Sequence, residues 1–259
     1  MKELLMRTVT GLILVLLTVL VASKGGVLMA YFTFLLSIIG LREFYNAIEG
    51  QDVSPIKPIG YISCVLFLFH WLDYERFSLM FILYFSIIAL LISLIFINNK
   101  TFYDISITFF GIFYIPFLFQ HILYLGGSIY IWLVFIIAWG TDTSAYVFGN
   151  LFGKKKLCPN LSPNKTIEGS LGGILGPVLL TYIFAKYLKL EHIWKLIPLS
   201  IIGSIMAQLG DLSASKIKRI SNIKDFGFII PGHGGVLDRF DSILFTAPLV
   251  YYYVNWFIL

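Results

Sequence analysis

Long apolar stretches follow one another along almost the whole chain, with short polar segments between them. Nine of these stretches approach the roughly 20 residues that an α-helix needs to cross the core of a bilayer. They cover residues 8 to 23, 25 to 46, 57 to 73, 77 to 97, 102 to 125, 127 to 150, 168 to 187, 193 to 213 and 237 to 258. Their apolar residues are continuous rather than alternating, which is typical of membrane helices and not of membrane barrels. The pattern predicts an all-α, polytopic transmembrane helical protein with about nine membrane-spanning helices.

Composition agrees with lipid as the solvent of this chain. Apolar residues make up 58% of the sequence and charged residues only 13%, and the mean hydropathy is +0.87. A soluble domain usually carries about 25% charged residues, so that class is excluded. The sequence has no internal repeat and no low-complexity linker. We therefore expect one integral membrane domain over residues 1–259, with N-terminal helices in 1–126 and the remaining helices and polar loops in 127–259.

The distribution of Lys and Arg predicts the orientation, because these residues favour cytoplasmic loops. With nine spans and a cytoplasmic N-terminus, only five of the 19 basic residues fall outside: Lys24, Arg76, Lys186, Lys189 and Lys195. We expect a multi-pass protein of a bacterial cytoplasmic membrane with an external C-terminus. The net charge of +5 follows from this bias and indicates no nucleic-acid partner.

The first 137 residues offer little chemistry. Glu43 follows Arg42 near the end of the second apolar stretch, and we interpret them as a pair at the membrane interface whose side chains reach toward the headgroups. His70 and His121 lie among apolar and aromatic residues, which favours packed side chains over metal ligands.

Two segments of the second half, Trp139 to Gly173 and Gln208 to Asp241, are richer in polar residues and glycine and are expected on the cytoplasmic side. Their acids are Asp142, Asp211, Asp225, Asp238 and Asp241, and their bases include Lys154, Lys155, Lys156, Lys165, Lys218, Arg219, Lys224 and Arg239. Carboxylates without clustered Cys or His favour Mg²⁺, and the bases could hold a polyphosphate. The combination indicates a phosphoryl- or nucleotidyl-transfer site.

Single elements of these segments also have simpler explanations. The triple lysine is a common topology signal. The sequence Gly232-His233-Gly234-Gly235 is compatible with a tight turn as well as with an anion-binding loop. Thr166 or Ser162 could cap a helix, with Glu168 facing its positive end.

The order of these residues resembles a known signature. It reads Ser215-Lys216-Ile217-Lys218-Arg219, then Lys224-Asp225-Phe226-Gly227, and then Pro231-Gly232-His233-Gly234-Gly235-Val236-Leu237-Asp238-Arg239-Phe240-Asp241. The first segment adds Asp142-Thr143, Ala145-Tyr146 and Ser162-Pro163-Asn164-Lys165-Thr166-Ile167-Glu168-Gly169. Over residues 138 to 241 the chain resembles the phosphatidate cytidylyltransferases, also called CDP-diacylglycerol synthases.

The resemblance implies that a phosphate oxygen of phosphatidate attacks CTP, giving CDP-diacylglycerol and pyrophosphate. It implies Asp211 and Asp238 as metal ligands for one or two Mg²⁺ ions, with a monovalent cation as a further candidate. The other implied catalytic residues are Lys218, Arg219, Lys224, Asp225, His233, Arg239 and Asp241. Asp142, Ser162, Lys165 and Glu168 are the implied substrate-binding residues. The implied partners are CTP, phosphatidic acid, the lipid bilayer and a second copy in a homodimer.

Three alternatives remain at this point. A CTP-dependent lipid kinase, such as a dolichol kinase, would share the hydrophobicity and the acidic metal site. CDP-alcohol phosphotransferases are disfavoured because their Asp-Gly-x-x-Ala-Arg pattern is missing. A transporter or an assembly scaffold would usually place its ionisable groups at mid-membrane in broken, repeat-related helices.

Overall fold

The computed structural model describes residues 2–49, 52–73, 77–159 and 161–259, and for residues 2–5 and 7 it describes only the backbone. Arg76, one of the basic residues expected on the outer side, lies outside the described residues. The helices are α1 Lys2–Lys24, α2 Gly26–Ile48, α3 Lys57–Leu72, α4 Leu79–Phe96, α5 Phe102–Ile112, α6 Leu118–Tyr124, α7 Ile131–Phe152, α8 Ile167–Tyr187, α9 Ile193–Ile220 and α10 Leu237–Phe257. A π-helical segment, Phe113–Phe117, joins α5 to α6.

The helices confirm an all-α polytopic membrane protein. Within the described residues, six segments are long and apolar enough to cross a bilayer: Gly26–Ile48, Leu79–Phe96, Phe102–Tyr124, Ile131–Phe152, Ile167–Tyr187 and Ile193–Ile220. Two more apolar helices, Thr8–Lys24 and Lys57–Leu72, are shorter than a typical span. The coordinates therefore support several spans, and the count of nine stays a prediction.

Local sequence explains where several helices begin. Thr101 and Asp104 form a capping box at the start of α5, in which each side chain accepts a hydrogen bond from the other residue's backbone N–H. At the start of α4, the Ser78 hydroxyl accepts from the N–H of Phe81. Pro116 lies inside the π-helical segment, where a missing backbone donor is tolerated because the regular hydrogen-bond ladder is already interrupted.

Parts of both polar segments are helical, as the apolar stretches 127–150, 168–187 and 193–213 predicted. Residues 139–152 belong to α7, residues 208–220 belong to α9, and α8 begins at Ile167. α9 continues beyond the predicted apolar stretch 193–213 as far as Ile220, because polar residues are tolerated in a helix where they face protein or water. Between α7 and α8 lies an antiparallel hairpin of two short strands, β1 Lys156–Cys158 and β2 Ser162–Thr166, which the sequence did not reveal.

The chain forms two compact units. The first contains Met1–Gly127 and Ile220–Arg239. Its centre is α2, where Leu41, Phe44 and Tyr45 are at most 1% exposed. The hydroxyl of Tyr45 donates to the Thr108 carbonyl over 2.7 Å. A Cβ atom at Gly60 would lie 2.6 Å from that hydroxyl oxygen, so glycine lets α3 approach α2 closely.

The second unit contains Ser128–Arg219 and Phe240–Leu259. Its tightest packing joins α7 to α8, where added Cβ atoms would overlap Phe148 at Gly172 and Ser144 at Gly176. Small residues of this kind let membrane helices pack closely without a hydrophobic driving force. At Gly210 an added Cβ would lie 2.6 Å from the Asp241 carbonyl oxygen, so α9 and α10 also approach closely within this unit.

Candidate active site

An ion pair joins the two polar segments within the second unit. Lys165, on β2, donates to Oδ2 of Asp211, on α9, and both side chains are 28% exposed. The hydroxyl of Ser215, one turn further along α9, lies 3.4 Å from Oδ1 of the same carboxylate. One turn earlier, Ser170 and Gln208 bond to each other, which fixes α8 against α9 beside the ion pair.

Two further carboxylates lie near this pair. Asp241 is 7% exposed, and the charged groups that act on it are Asp211, Asp142 and Lys218. Its Oδ1 accepts the Ser242 N–H over 2.7 Å, and the Ser242 hydroxyl reaches Oδ2 of Asp142 over 3.2 Å. Like charges this close repel each other, and a cation relieves the repulsion. We call Asp142, Lys165, Asp211, Lys218 and Asp241 the acidic cluster.

The hairpin and the start of α8 hold the other residues of the first segment. Thr166 caps α8, because its hydroxyl accepts the Gly169 N–H over 3.1 Å, so one of the two caps considered from the sequence is confirmed. Glu168 accepts the N–H groups of Lys154 and Lys155 over 3.0 and 3.2 Å. Its carboxylate thus orders the lysine-rich end of the loop. Ser162 lies at the start of β2 and is partly exposed.

The Gly-His-Gly-Gly sequence forms a tight turn in the first unit. The φ angles of Gly232 and Gly234 are 76° and 87°, values that side chains disfavour. The N–H of Ile230 donates to the Gly234 carbonyl over 3.0 Å, and the N–H of His233 donates to the Ile230 carbonyl over 2.9 Å. The turn interpretation is therefore confirmed. Lys224 and Arg239 on either side of this turn are exposed, and Asp225 is partly exposed.

Asp238 closes the turn. Its Oδ2 accepts the N–H of Phe226 over 2.8 Å and the N–H of Gly235 over 2.9 Å. This carboxylate therefore ties the two sides of the segment 226–238 together. We call residues 226–238 the signature turn.

The histidine of the turn contacts α1. The Thr10 hydroxyl oxygen lies 3.0 Å from Nδ1 of His233 and 3.1 Å from the Pro231 carbonyl oxygen. The Met6 carbonyl oxygen, 2.8 Å away within α1, is an alternative acceptor for the single proton of that hydroxyl. A Cβ at Gly11 would lie 3.3 Å from Nε2 of His233. Arg239 donates from Nε to the His233 carbonyl over 2.9 Å. No local sequence pattern indicated that α1 would contact this turn.

Glu43 is buried, although the sequence predicted a residue at the membrane interface. It is 4% exposed, and its two carboxylate oxygens accept the N–H groups of Val236 and Leu237 over 3.0 and 2.9 Å. The interpretation as a pair at the membrane interface is wrong, because the carboxylate points into the first unit and not toward headgroups. The only signal available was a charged residue close to the end of an apolar stretch, which does not distinguish the two cases.

The donor set fits a hard cation with few protein ligands. Among the residues that the structure describes, no three acidic, His or Cys side chains form a group able to enclose an ion by themselves. Mg²⁺ usually takes one or two carboxylates and completes its shell with phosphate and water oxygens. The acidic cluster, with Asp241 acted on by two other carboxylates, offers such ligands.

Comparison with known proteins agrees with the signature. A model described as the cytidylyltransferase family matches residues 5–257. A Staphylococcus epidermidis protein named phosphatidate cytidylyltransferase is 37% identical over 252 residues, which are 94% of this chain and 96% of the relative. Proteins of the same name from Staphylococcus haemolyticus and Staphylococcus aureus are each 34% identical over the same shares of both chains. The chain belongs to the cytidylyltransferase family.

In this cytidylyltransferase, each unit gathers part of the signature. The second unit brings together the acidic cluster, with Arg219, Ser162 and Glu168 on the same or adjoining elements. The first unit holds Lys224, Asp225, His233, Asp238 and Arg239 on or beside the signature turn. The structure adds Glu43 and Thr10, which lie far from the signature in sequence and contact it in the fold.

Proposed function

We propose that this chain is a phosphatidate cytidylyltransferase, which transfers CMP from CTP to phosphatidate and forms CDP-diacylglycerol and pyrophosphate in phospholipid biosynthesis. The observation that carries the proposal is the family match over residues 5–257, with relatives of that name aligned to 94% of the chain. The matched range includes the acidic cluster and the signature turn, so the residues suited to this chemistry lie within the region of similarity.

The reaction needs positive charge more than it needs an activated side chain. A phosphate oxygen of phosphatidate attacks the α-phosphorus of CTP, and the bond from that phosphorus to the bridging oxygen breaks. The electron pair leaves with pyrophosphate. A phosphate dianion is already a nucleophile, so no activated Ser or Cys is required. Lys218, Arg219, Lys224 and Arg239 are suited to neutralise the triphosphate and the lipid phosphate.

Asp211 and Asp238 are our proposed ligands for Mg²⁺, as one or two ions, with a monovalent cation as a further candidate. When bound, Mg²⁺ supplies charge that stabilises phosphate oxygens in the transition state. Lys165 holds one oxygen of Asp211 through the ion pair described above, and backbone N–H groups hold one oxygen of Asp238. Both carboxylates are therefore fixed in direction before any ligand arrives.

Other residues are proposed to shape the substrate site. Asp142, Ser162, Lys165 and Glu168 would form the nucleotide side, and Asp225 and Asp241 would orient neighbouring bases. His233 would donate to a phosphate oxygen or hold the turn, and its contact with Thr10 supports the second role.

The finer topology is also a proposal. We propose nine spans with the N-terminus in the cytoplasm, which adds α1, α3 and α10 to the six apolar spans described above. Both polar segments then face the cytoplasm of a bacterial cell, where CTP is available, and the lipid enters from the inner leaflet. A homodimer is the proposed assembly.

The position of the transferred label tests the function. Purified protein in mixed micelles is given phosphatidate, Mg²⁺ and CTP labelled at either the α- or the γ-phosphate. We expect the α-label in the lipid product and the γ-label in pyrophosphate, with no transfer when CTP, Mg²⁺ or phosphatidate is omitted. Transfer of the γ-label to a lipid would indicate a kinase and would reject the proposal.

A further inference from the structure

The carboxylate of Glu43 meets the signature turn at the start of α10. Oε1 accepts the N–H of Val236 and Oε2 accepts the N–H of Leu237, so both oxygens are used by consecutive backbone donors. The first N–H groups of a helix have no partner within the helix, and negative charge is favourable there. A side chain from α2, 193 residues away in sequence, therefore supplies the cap of α10.

Two glycines of the turn make room for this carboxylate. A Cβ atom at Gly235 would lie 2.6 Å from both Glu43 oxygens, and one at Gly227 would lie 2.6 Å from Oε1. Real Cβ atoms do not approach oxygen this closely. A larger residue at either position would therefore have to displace the Glu43 carboxylate. Neither glycine has a positive φ angle, so the close approach of Glu43 is what distinguishes these two positions.

Asp238 accepts neighbouring backbone N–H groups of the same turn. It accepts from Phe226 and Gly235, while Glu43 accepts from Val236 and Leu237. The two carboxylates repel each other. The backbone N–H groups that each carboxylate accepts offset this repulsion. Moving Glu43 would release one side of the turn and let Asp238 and Arg239 shift together.

We propose that Glu43 is a positioning residue of the reaction: its buried carboxylate fixes the backbone at the start of α10, and with it the placement of Asp238 and Arg239. The inference rests on the proposed function for its catalytic part. Glu43 does not need to touch substrate, and its effect passes through the backbone of residues 235–237.

The first test uses Glu43→Gln, which keeps the volume but replaces one acceptor oxygen with a donor. We expect faster hydrogen exchange of the Val236 and Leu237 amides and a fall in kcat/KM of about tenfold to 100-fold, as a displacement near 1 Å commonly produces. The matched control is Asp104→Asn, another buried acid of the first unit, which bonds Ser54 and Thr101. Its folded fraction should retain wild-type turnover and wild-type exchange at residues 236 and 237.

The second test is a double-mutant cycle, which compares the effect of one substitution in two backgrounds. Gly235→Ala should lower activity strongly in the wild-type background, because the new methyl group meets both Glu43 oxygens. In the Glu43→Asp background the shorter side chain leaves space for it. We expect the penalty of Gly235→Ala to be at least about threefold smaller there, since residues in contact are coupled.

The outcomes separate the inference from the proposed function. Wild-type turnover by folded Glu43→Gln, or penalties that simply multiply in the cycle, would overturn the positioning role. Wild-type protein that lacks turnover dependent on CTP and phosphatidate would instead reject the proposed function. In that case the exchange data still test the contact of Glu43 with the N–H groups of Val236 and Leu237. Unchanged exchange at these two residues would reject that contact as well.

Discussion

At the scale of single residues, the carboxylates of this protein differ in what holds them. Asp211 is paired with Lys165, Asp238 with two backbone N–H groups, and Glu43 with two others. Asp241 is buried near two further acids and Lys218. An ionised group in such surroundings is costly unless each charge has a donor or a cation. Each arrangement therefore predicts a different response to the loss of one charge.

Asp211→Asn should abolish most turnover while the protein stays folded in detergent. The change removes the charge that Lys165 pairs with and that we propose binds Mg²⁺, and loss of one such group commonly costs about 100-fold to 1,000-fold in rate. Pyrophosphate release measures the effect. Glu49→Gln is the control. Glu49 forms an ion pair with Lys57 over 2.7 Å, and these side chains are 47% and 28% exposed. Exposed pairs contribute at most about 1 kcal/mol. Near-normal turnover by Asp211→Asn would remove this residue from the metal ligands.

Asp238→Asn and Asp238→Ala should separate charge from turn structure. Asn retains an oxygen that can accept the N–H groups of Phe226 and Gly235, whereas Ala retains none. We expect both variants to lose turnover, but only Asp238→Ala to show faster hydrogen exchange across residues 226–238. Each unsatisfied buried donor costs about 1 to 3 kcal/mol, so the turn should open locally. Exchange in Asp238→Ala as slow as in the wild type would show that the side chain does not hold the turn.

At the scale of elements, the helices of the second unit carry much of the chemistry. Asp142 lies within α7 and Asp211 within α9, so their positions depend on helix packing and not on loop conformation. The contact of α7 with α8 at Gly172 and Gly176 leaves no space for larger residues. The hairpin between these helices places Lys165 one residue before the cap of α8. The position of Lys165 therefore depends on where α8 begins.

Thr166→Val should destabilise the start of α8, and Thr166→Ser should not. Val has nearly the same shape but cannot accept the Gly169 N–H, and loss of an N-cap costs about 0.5 to 2 kcal/mol. Thermal unfolding in detergent measures the difference as a lower Tm for the Val variant. We also expect lower activity for this variant, because Lys165 directly precedes the cap. Identical Tm values for the two variants would show that the hydroxyl contributes nothing there.

At the scale of the whole molecule, the apolar surface is extensive and its polar residues are grouped. Only 17% of the residues of α4 are buried, and the side chains of Met80, Ile95 and Phe96 are more than 70% exposed. Surfaces of this kind are stable in lipid and would aggregate in water. The polar residues of the hairpin and of the signature turn lie outside the long apolar spans.

The two cysteines provide a test of orientation in the unmodified chain. Cys64 is 1% exposed, whereas Cys158, on β1, is partly exposed. A thiol reagent that cannot cross membranes should label Cys158 in inside-out vesicles and leave right-side-out vesicles unlabelled. Cys158→Ser is the control and should remove the signal. Labelling from the outside would place the hairpin outside the cell and would contradict the proposed topology.

The sequence alone determined the class of the protein and most of its candidate site. Apolar runs are local features, so the positions of the helices and their membrane character could be predicted without any knowledge of packing. The resemblance of the signature to a known family named Asp211, Asp238 and their basic neighbours as candidate site residues, and their roles stay predictions. Of the two helix caps that the sequence indicated, Thr166 and Ser162, the structure shows Thr166.

Only the tertiary structure decided how these residues are held. Val236 and Glu43 are 193 residues apart, and Thr10 and His233 are 223 apart, so no local pattern indicates either contact. The sequence also did not indicate that α9 continues to Ile220, because a polar sequence is compatible with both a loop and a helix that faces protein. Burial and hydrogen-bond partners depend on which distant segments meet. For this reason a glutamate that resembles an interfacial residue in sequence is, in the fold, the cap of the helix that carries Asp238.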